Sequence, residues 1–137
     1  MARVLLVEDE ADVRDLIEEA FAERGLVVRS AASDLEAYGV LDEEARSFSV
    51  LVADINLGAG TTGFDVARAA RVIQPGLAVI YMTAFDIETR AHAVPESLTL
   101  RKPLRVSELA GQILDYLNAD GVLDRDWDSG AARASAG

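Results

Sequence analysis

Apolar residues fall along this chain in two alternating rhythms. Short β-rich runs occur at residues 3–7 (RVLLV), 26–29, 48–53, 77–82 and 97–101, and between them apolar positions spread to the three-and-four spacing of a helix face. Val13, Leu16, Ile17, Ala20 and Phe21 mark the first such face, with Asp12, Asp15, Glu18, Glu19 and Glu23 on the remaining surface. Gly25 closes that helix, where a C′ residue takes the left-handed conformation. Ser33 with Glu36 matches a capping box and opens a second helix to about Arg46, its buried face made by Ala37, Val40, Leu41 and Ala45. Gly39 inside it costs about 1 kcal/mol relative to alanine. Phe48 to Ala53 has no polar alternation, as expected of a central strand covered on both faces. Residues 55–63 (INLGAGTTG) read as loop, Phe64 to Val72 as helix ended by Gln74-Pro75-Gly76, and Leu77 to Met82 as another covered strand. A weak helix fits Ile87 to Val94, where Pro95 blocks continuation. Ser97 to Arg101 is the last strand. Val106, Leu109, Ala110, Ile113, Leu114 and Leu117 then form the clearest amphipathic helix, starting near Arg105.

Five alternations of strand and helix predict an α/β fold, a doubly wound parallel sheet with helices on both faces. Right-handed crossovers place all five strand C-termini on one edge, where such sheets bind ligands. The expected organisation is one domain over residues 1–118, followed at 119–137 by a disordered tail of acidic and small residues. Val122, Leu123 and Trp127 are the tail's candidates for docking back.

Composition narrows the functional classes. The 137 residues are 50% apolar, enough for a single core. There is no cysteine, which removes disulfides and thiolate chemistry and agrees with a reducing compartment. No apolar run approaches the roughly 18 residues of a membrane span, and Met1 to Val7 runs at once into acids where a signal peptide would stay apolar. A cytoplasmic protein without membrane contact is expected. The formal net charge of −11 opposes direct binding to nucleic acid. Lys102 is the sole lysine of the chain.

Chemistry enters at the strand ends: Glu8 and Asp9 follow the first strand, Asp54 the third, Thr83 the fourth, and Arg101 and Lys102 the fifth. Three like charges on one edge raise one another's pKa or call for a cation. An all-oxygen donor set suits Mg2+, with Mn2+ as a substitute, and His92, the only histidine, offers no zinc site. Asp9 and Asp54 are the expected ligands, with Glu8 binding directly or through water and the backbone carbonyl of Asn56 as a third protein ligand. A carboxylate beside a metal, an ammonium and a hydroxyl is also arranged to attack phosphorus. Asp54, ending the central strand, is the best nucleophile, with Lys102 neutralising charge on the transferring oxygens and Thr83 donating to one of them.

The stretches VLLVEDE at 4–10, VADINL at 52–57, YMTA at 81–84 and RKPL at 101–104, in this order within five βα units, resemble the receiver domain of bacterial two-component response regulators. The likeness to this flavodoxin-like phosphoacceptor family covers about residues 2–117 and implies a five-stranded sheet of order 2-1-3-4-5. It implies that Glu8 and Asp9 form the acidic metal pocket, that Asp54 is phosphorylated and that Asn56 is a backbone metal ligand. Thr83 becomes the switch hydroxyl and Lys102 the phosphate contact, with a cis peptide expected at Lys102-Pro103. The implied phosphoryl donor is a sensor histidine kinase or a histidine phosphotransfer protein. Output goes to a downstream protein target or by onward transfer, and the fourth and fifth elements supply the family's usual homodimer or kinase-docking face. With no output domain after residue 117, a standalone single-domain protein is expected, a regulator, phosphorelay intermediate or phosphate sink.

Three departures fall on the readout surface. Thr99 stands at the family's aromatic switch position, three residues before the lysine. Gly58 replaces a common proline, and Gly63 lies one residue further from Asp54 than usual. The stretch between Thr83 and Lys102 is short, with Pro95 inside it. Phe85, two residues past Thr83, is either a packing residue or a gate slowing hydrolysis of the acyl phosphate. Blander readings remain for single residues: Glu8 and Asp9 as charges favouring a helix dipole, Asn56 as a turn residue, Thr83 as a strand terminus. Rival functions are a degenerate receiver that binds partners regardless of phosphorylation, and a small Mg2+ phosphatase, which the missing cap and second carboxylate disfavour.

Overall fold

The computed structural model describes residues 3–55, 63–83, 93–102 and 105–118. The expectations for Asn56, Gly58, Phe85, His92, most of the 87–94 helix, the Lys102-Pro103 peptide and the tail lie outside those residues. Five strands, β1 (Arg3–Val7), β2 (Val27–Ala31), β3 (Val50–Asp54), β4 (Ala78–Thr83) and β5 (Ser97–Arg101), form one parallel sheet of order β2-β1-β3-β4-β5. The helices are α1 (Ala11–Glu23), α2 (Asp34–Glu44), α3 (Gly63–Ile73) and α4 (Val106–Asn118), with a 3-10 turn at Ala45–Ser47. Every residue of β3 and β4 is buried, whereas the edge strand β2 alternates and the edge strand β5 buries only Leu98. The unbroken apolar runs of the sequence thus mark the strands covered on both faces.

Two cores flank the sheet. Leu5, Val7, Leu51, Ala53, Val79 and Tyr81 face α2 and α3, whereas Val4, Leu6, Val50, Val52, Ile80 and Met82 face α1 and α4. This is the doubly wound arrangement, and each fully buried aliphatic side chain contributes roughly 1.5–3 kcal/mol of transfer free energy. Local signals in the sequence close the helices. Gly25 has φ of 79°, its N–H reaches the Ala22 carbonyl and that of Leu26 reaches Phe21, the two bonds of a Schellman motif. The Ser33 hydroxyl accepts the Glu36 N–H at 3.1 Å, capping α2.

The buried face of α1 needs one correction. Ile17 and Phe21 are fully buried, but Leu16 is 59% exposed. At about 100° per residue the buried stripe centres between Ile17 and Phe21, and Leu16 lies roughly 120° around from it, so its i, i+4 spacing to Ala20 does not bring it to the sheet. Strand limits also shift, β2 starting at Val27 and β3 and β4 ending on Asp54 and Thr83 themselves. Among the described residues no helix is long and apolar enough to cross a membrane.

Candidate functional site

Strand register assembles the site. Val7 pairs with Ala53 and Asp54 pairs with Met82, so Glu8 stands level with Asp54, and Thr83 lies one step beyond Asp54's partner. Thr83 in turn pairs with Arg101, placing Lys102 one step further on. Alternation along the strands sets Glu8, Asp54 and Lys102 in line with the α1/α4 face, while Thr83 continues the row of Val79 and Tyr81. Backbone bonds tie these ends together: Ile55 N–H to the Met82 carbonyl at 2.9 Å and Lys102 N–H to the Thr83 carbonyl at 2.7 Å.

Carboxylate oxygens of Glu8, Asp9 and Asp54 lie within 4.8 Å of one another. Asp9 is exposed, whereas Glu8 and Asp54 are buried. The Lys102 ammonium donates to Glu8 Oε1 and Asp54 Oδ2, each at 2.8 Å, and the exposed Glu10 carboxylate is 4.0 Å away. The Glu10 backbone N–H donates to Glu8 Oε2 at 3.1 Å, the Arg14 guanidinium to the Glu8 carbonyl, and the Glu8 N–H to the Ala31 carbonyl. Glu8 is therefore held from β2, α1 and Lys102 at once, with both carboxylate oxygens bonded.

Burial pushes the Glu8 carboxyl up, and the Asp54 charge adds to the rise against the lowering effects of Lys102 and the Glu10 N–H. Burial alone would lower the Lys102 ammonium. Its bonds to Asp54 and Glu8 outweigh that and leave it raised. Lysine is thus firmly charged here, and it is shared by two acids while a third stands beside them. The donor set is oxygen only and in negative excess, with an exposed carboxylate at its mouth, which fits a hard cation.

Gly63 is part of this construction. A Cβ on it would lie 2.3 Å from the Asp54 carbonyl oxygen, and its N–H donates to the Ile55 carbonyl at 3.0 Å. Only glycine lets the first turn of α3 back onto the Asp54 peptide.

A family model described as the response regulator receiver domain matches residues 4–113. The chain belongs to that family. This receiver is 31% identical over 122 residues to the response regulator receiver protein CpdR of Brucella abortus, covering 87% of this chain and 99% of the relative. It is 25% identical to the sporulation initiation phosphotransferase F of Bacillus subtilis, over 84% of this chain and 93% of that protein. Among solved structures, a response regulator receiver protein from Sinorhizobium medicae superposes with a TM-score of 0.79 at 29% identity, covering 86% of this chain and 95% of the other.

The receiver brings Glu8, Asp9, Asp54 and Lys102 together, with buried Thr83 beside them in register, while Thr99 is half-buried in β5 opposite Tyr81. Asn56 and Phe85 fall outside the described residues. Lys102, the expected phosphate contact, donates to two acids, Glu8 and Asp54. Sequence reasoning did not anticipate Glu10 and Arg14 as holders of Glu8. Their signal, an acid and a base within one turn of the helix start, is too common on helices to single out. Gly63 carried a readable signal, a glycine closing a glycine-rich stretch after the central strand.

Proposed function

We propose that this receiver takes a phosphoryl group from a phosphohistidine onto Asp54 and signals by protein contact or onward transfer. The observation that carries the reading is the Asp54 carboxylate within 4.8 Å of two further acids and 2.8 Å from the sole lysine, at the carboxyl edge of a doubly wound sheet. Membership of the receiver family supports partners among histidine kinases and histidine phosphotransfer proteins in general. The specific donor is a matter for assay.

In the forward step an Asp54 carboxylate oxygen forms the new P–O bond while the P–N bond of the phosphohistidine breaks and its electron pair returns to the imidazole. Hydrolysis reverses the outcome: water adds to phosphorus, the P–O bond to Asp54 breaks, and phosphate and the carboxylate result. The protein promotes its own phosphorylation and dephosphorylation in this way. Mg2+, with Mn2+ as a substitute, would be held by Asp9, Asp54 and the Asn56 carbonyl, and would supply positive charge to the transferring oxygens. Both oxygens of Glu8 are engaged, which favours its acting through water and through Lys102. Lys102 exchanges its bond to Asp54 Oδ2 for one to a phosphoryl oxygen, while Glu8 keeps the ammonium in place. Thr83 is the hydroxyl donor to the phosphoryl group, and Phe85 and Thr99 modulate lifetime and readout. We further propose residues 1–118 as the receiver unit and 119–137 as a tail outside it, with the protein acting in the cytoplasm.

The test is phosphoryl transfer from radiolabelled kinases and phosphotransfer proteins of the host. Label is expected on the wild type in the presence of Mg2+, absent with chelator and absent from Asp54→Asn. Label persisting unchanged on Asp54→Asn would refute the proposal.

A further inference from the structure

Tyr81 is fully buried, and its hydroxyl needs a partner there. The backbone N–H of Val94 donates to it at 3.1 Å. Burial pushes the phenol up, more than the Val94 N–H and the nearby Arg68 and Arg71 charges lower it, so the hydroxyl stays neutral. The ring stands edge-on to Phe64, 5.0 Å between centroids at 61°. Phe64 directly follows Gly63, whose backbone lies against the Asp54 carbonyl. In the ladder Tyr81 is opposite Thr99. The aromatic group at this level of the sheet therefore comes from β4, two residues before Thr83 and on the same side of the strand.

The turn whose Val94 N–H donates to Tyr81 is held independently from α3. The Arg71 guanidinium donates to the carbonyls of Leu77 and Pro95, each at 2.6 Å, and of Glu96 at 3.1 Å. The Ser97 hydroxyl donates to the Val94 carbonyl at 2.7 Å. Glu96 sits at φ of 57°, a left-handed conformation that a non-glycine residue keeps only where its surroundings impose it. Pro95 and Glu96 are exposed, so their arrangement is visible to a partner protein. One side of this turn is bonded to α3, and on the other the Val94 N–H donates to Tyr81 of the strand that ends in Thr83.

We propose that Tyr81 is the relay of this receiver, a positioning residue that ties the state of Thr83 to the 93–97 turn through its hydrogen bond with Val94, in place of an aromatic residue at position 99. This rests on the phosphoacceptor reading. When Thr83 bonds a phosphoryl group on Asp54, the end of β4 is drawn toward β3 and Tyr81 moves with it. The turn, held by Arg71, does not follow, and the bond to Val94 breaks. The movement of one strand end thereby becomes a change in the exposed Pro95 and Glu96 backbone.

The test uses the full chain with Mg2+ and trifluoroberyllate as the phosphoryl mimic. Fluorine NMR reports loading, and amide hydrogen exchange of Val94 reports the bond. Loading should speed Val94 exchange in the wild type about fivefold, the effect of losing one ordinary hydrogen bond. Tyr81→Phe should load equally well, with Val94 already fast and insensitive to loading. Thr83→Val lacks a donor to the mimic and should load more weakly, and at trifluoroberyllate concentrations that saturate its fluorine signal Val94 should stay slow. Loaded wild type with Val94 unchanged, or an equal response in Tyr81→Phe, overturns the relay alone. No bound fluoride signal in any of the proteins overturns the phosphoacceptor reading and the relay with it.

Discussion

The two ends of the same sheet carry ion clusters of opposite construction. At the carboxyl end one cation, Lys102, is shared by two acids, Glu8 and Asp54, with Asp9 beside them, and the Glu8 side chain is 0% exposed. At the amino end one acid, Glu44, is shared by two cations, Arg3 at 2.6 Å and Arg29 at 3.6 Å, all in partial contact with solvent. Arg3 also donates to the Ser47 hydroxyl and lies over the Phe48 ring at 4.8 Å. The lower cluster satisfies its acid and ties the start of β1 and the middle of β2 to the end of α2. The upper one is left in negative excess, with two of its three acids buried. Charge that is costly to keep buried marks where a further cation and a transferring anion are to be bound, while a balanced, hydrated pair merely joins elements.

The largest effect is expected where the upper edge has no steric slack. Gly63→Ala puts a methyl 2.3 Å from a backbone oxygen that no rotamer change can move. A loss of about 2–3 kcal/mol in urea unfolding should result, with weakened phosphoryl transfer. Wild-type stability in this variant would mean that α3 is not seated on Asp54. Next comes Lys102→Met, which leaves Glu8 buried beside Asp54 without its cation. With chelator present this should cost about 2 kcal/mol, below the usual range for a buried pair because Lys102 is 15% exposed. The double variant Glu8→Gln/Lys102→Met should recover much of the loss, since it removes both charges together. If Lys102→Met is no less stable than Arg3→Met, the contrast between the two ends fails.

Proximity was legible in the sequence and pairing was not. The apolar runs and their helical intervals placed Glu8, Asp9, Asp54, Thr83 and Lys102 on one edge because parallel crossovers leave no other arrangement. That Lys102 bonds Glu8 as well as Asp54 depends on side-chain reach across β1, β3 and β5, which no local period encodes. Leu16 was misplaced for a related reason: a 3.6-residue pattern defines a stripe, but its centre is set by the neighbouring sheet and α4. The relation of Tyr81 to Thr99 appears only once β4 and β5 are in register, and the hold of Arg71 on the 93–97 turn spans more than twenty residues.

Metal addition sharpens the contrast further. A ligand that binds only the folded state stabilises it by RT ln(1 + [L]/Kd), about 1.4 kcal/mol at ten times Kd. Mg2+ should raise the stability of the wild type and of Glu44→Gln alike and leave Asp9→Asn unaffected, as read by thermal unfolding at constant ionic strength. A full Mg2+ response in Asp9→Asn would move the ion away from the exposed acid at the mouth of the cluster.

The smallest effect belongs to the amino end and has a distinct pH signature. The hydrogen bond from Arg3 holds the Glu44 carboxyl below its ordinary range, and the Arg3 and Arg29 charges lower it further against burial. A group whose folded pKa is depressed stabilises the fold above its unfolded pKa, about 4.3 for glutamate, and that contribution disappears as pH falls through the folded value. The melting temperature of Glu44→Gln should therefore lie slightly below that of the wild type at neutral pH and converge on it as acid protonates Glu44. Because the cluster is hydrated, about 1 M salt, where the screening length is roughly 3 Å, should also close the gap at neutral pH. A gap that survives both acid and salt would show that Arg3 and Glu44 act through packing on Phe48 instead of through charge, and the two ends of the sheet would then differ in kind.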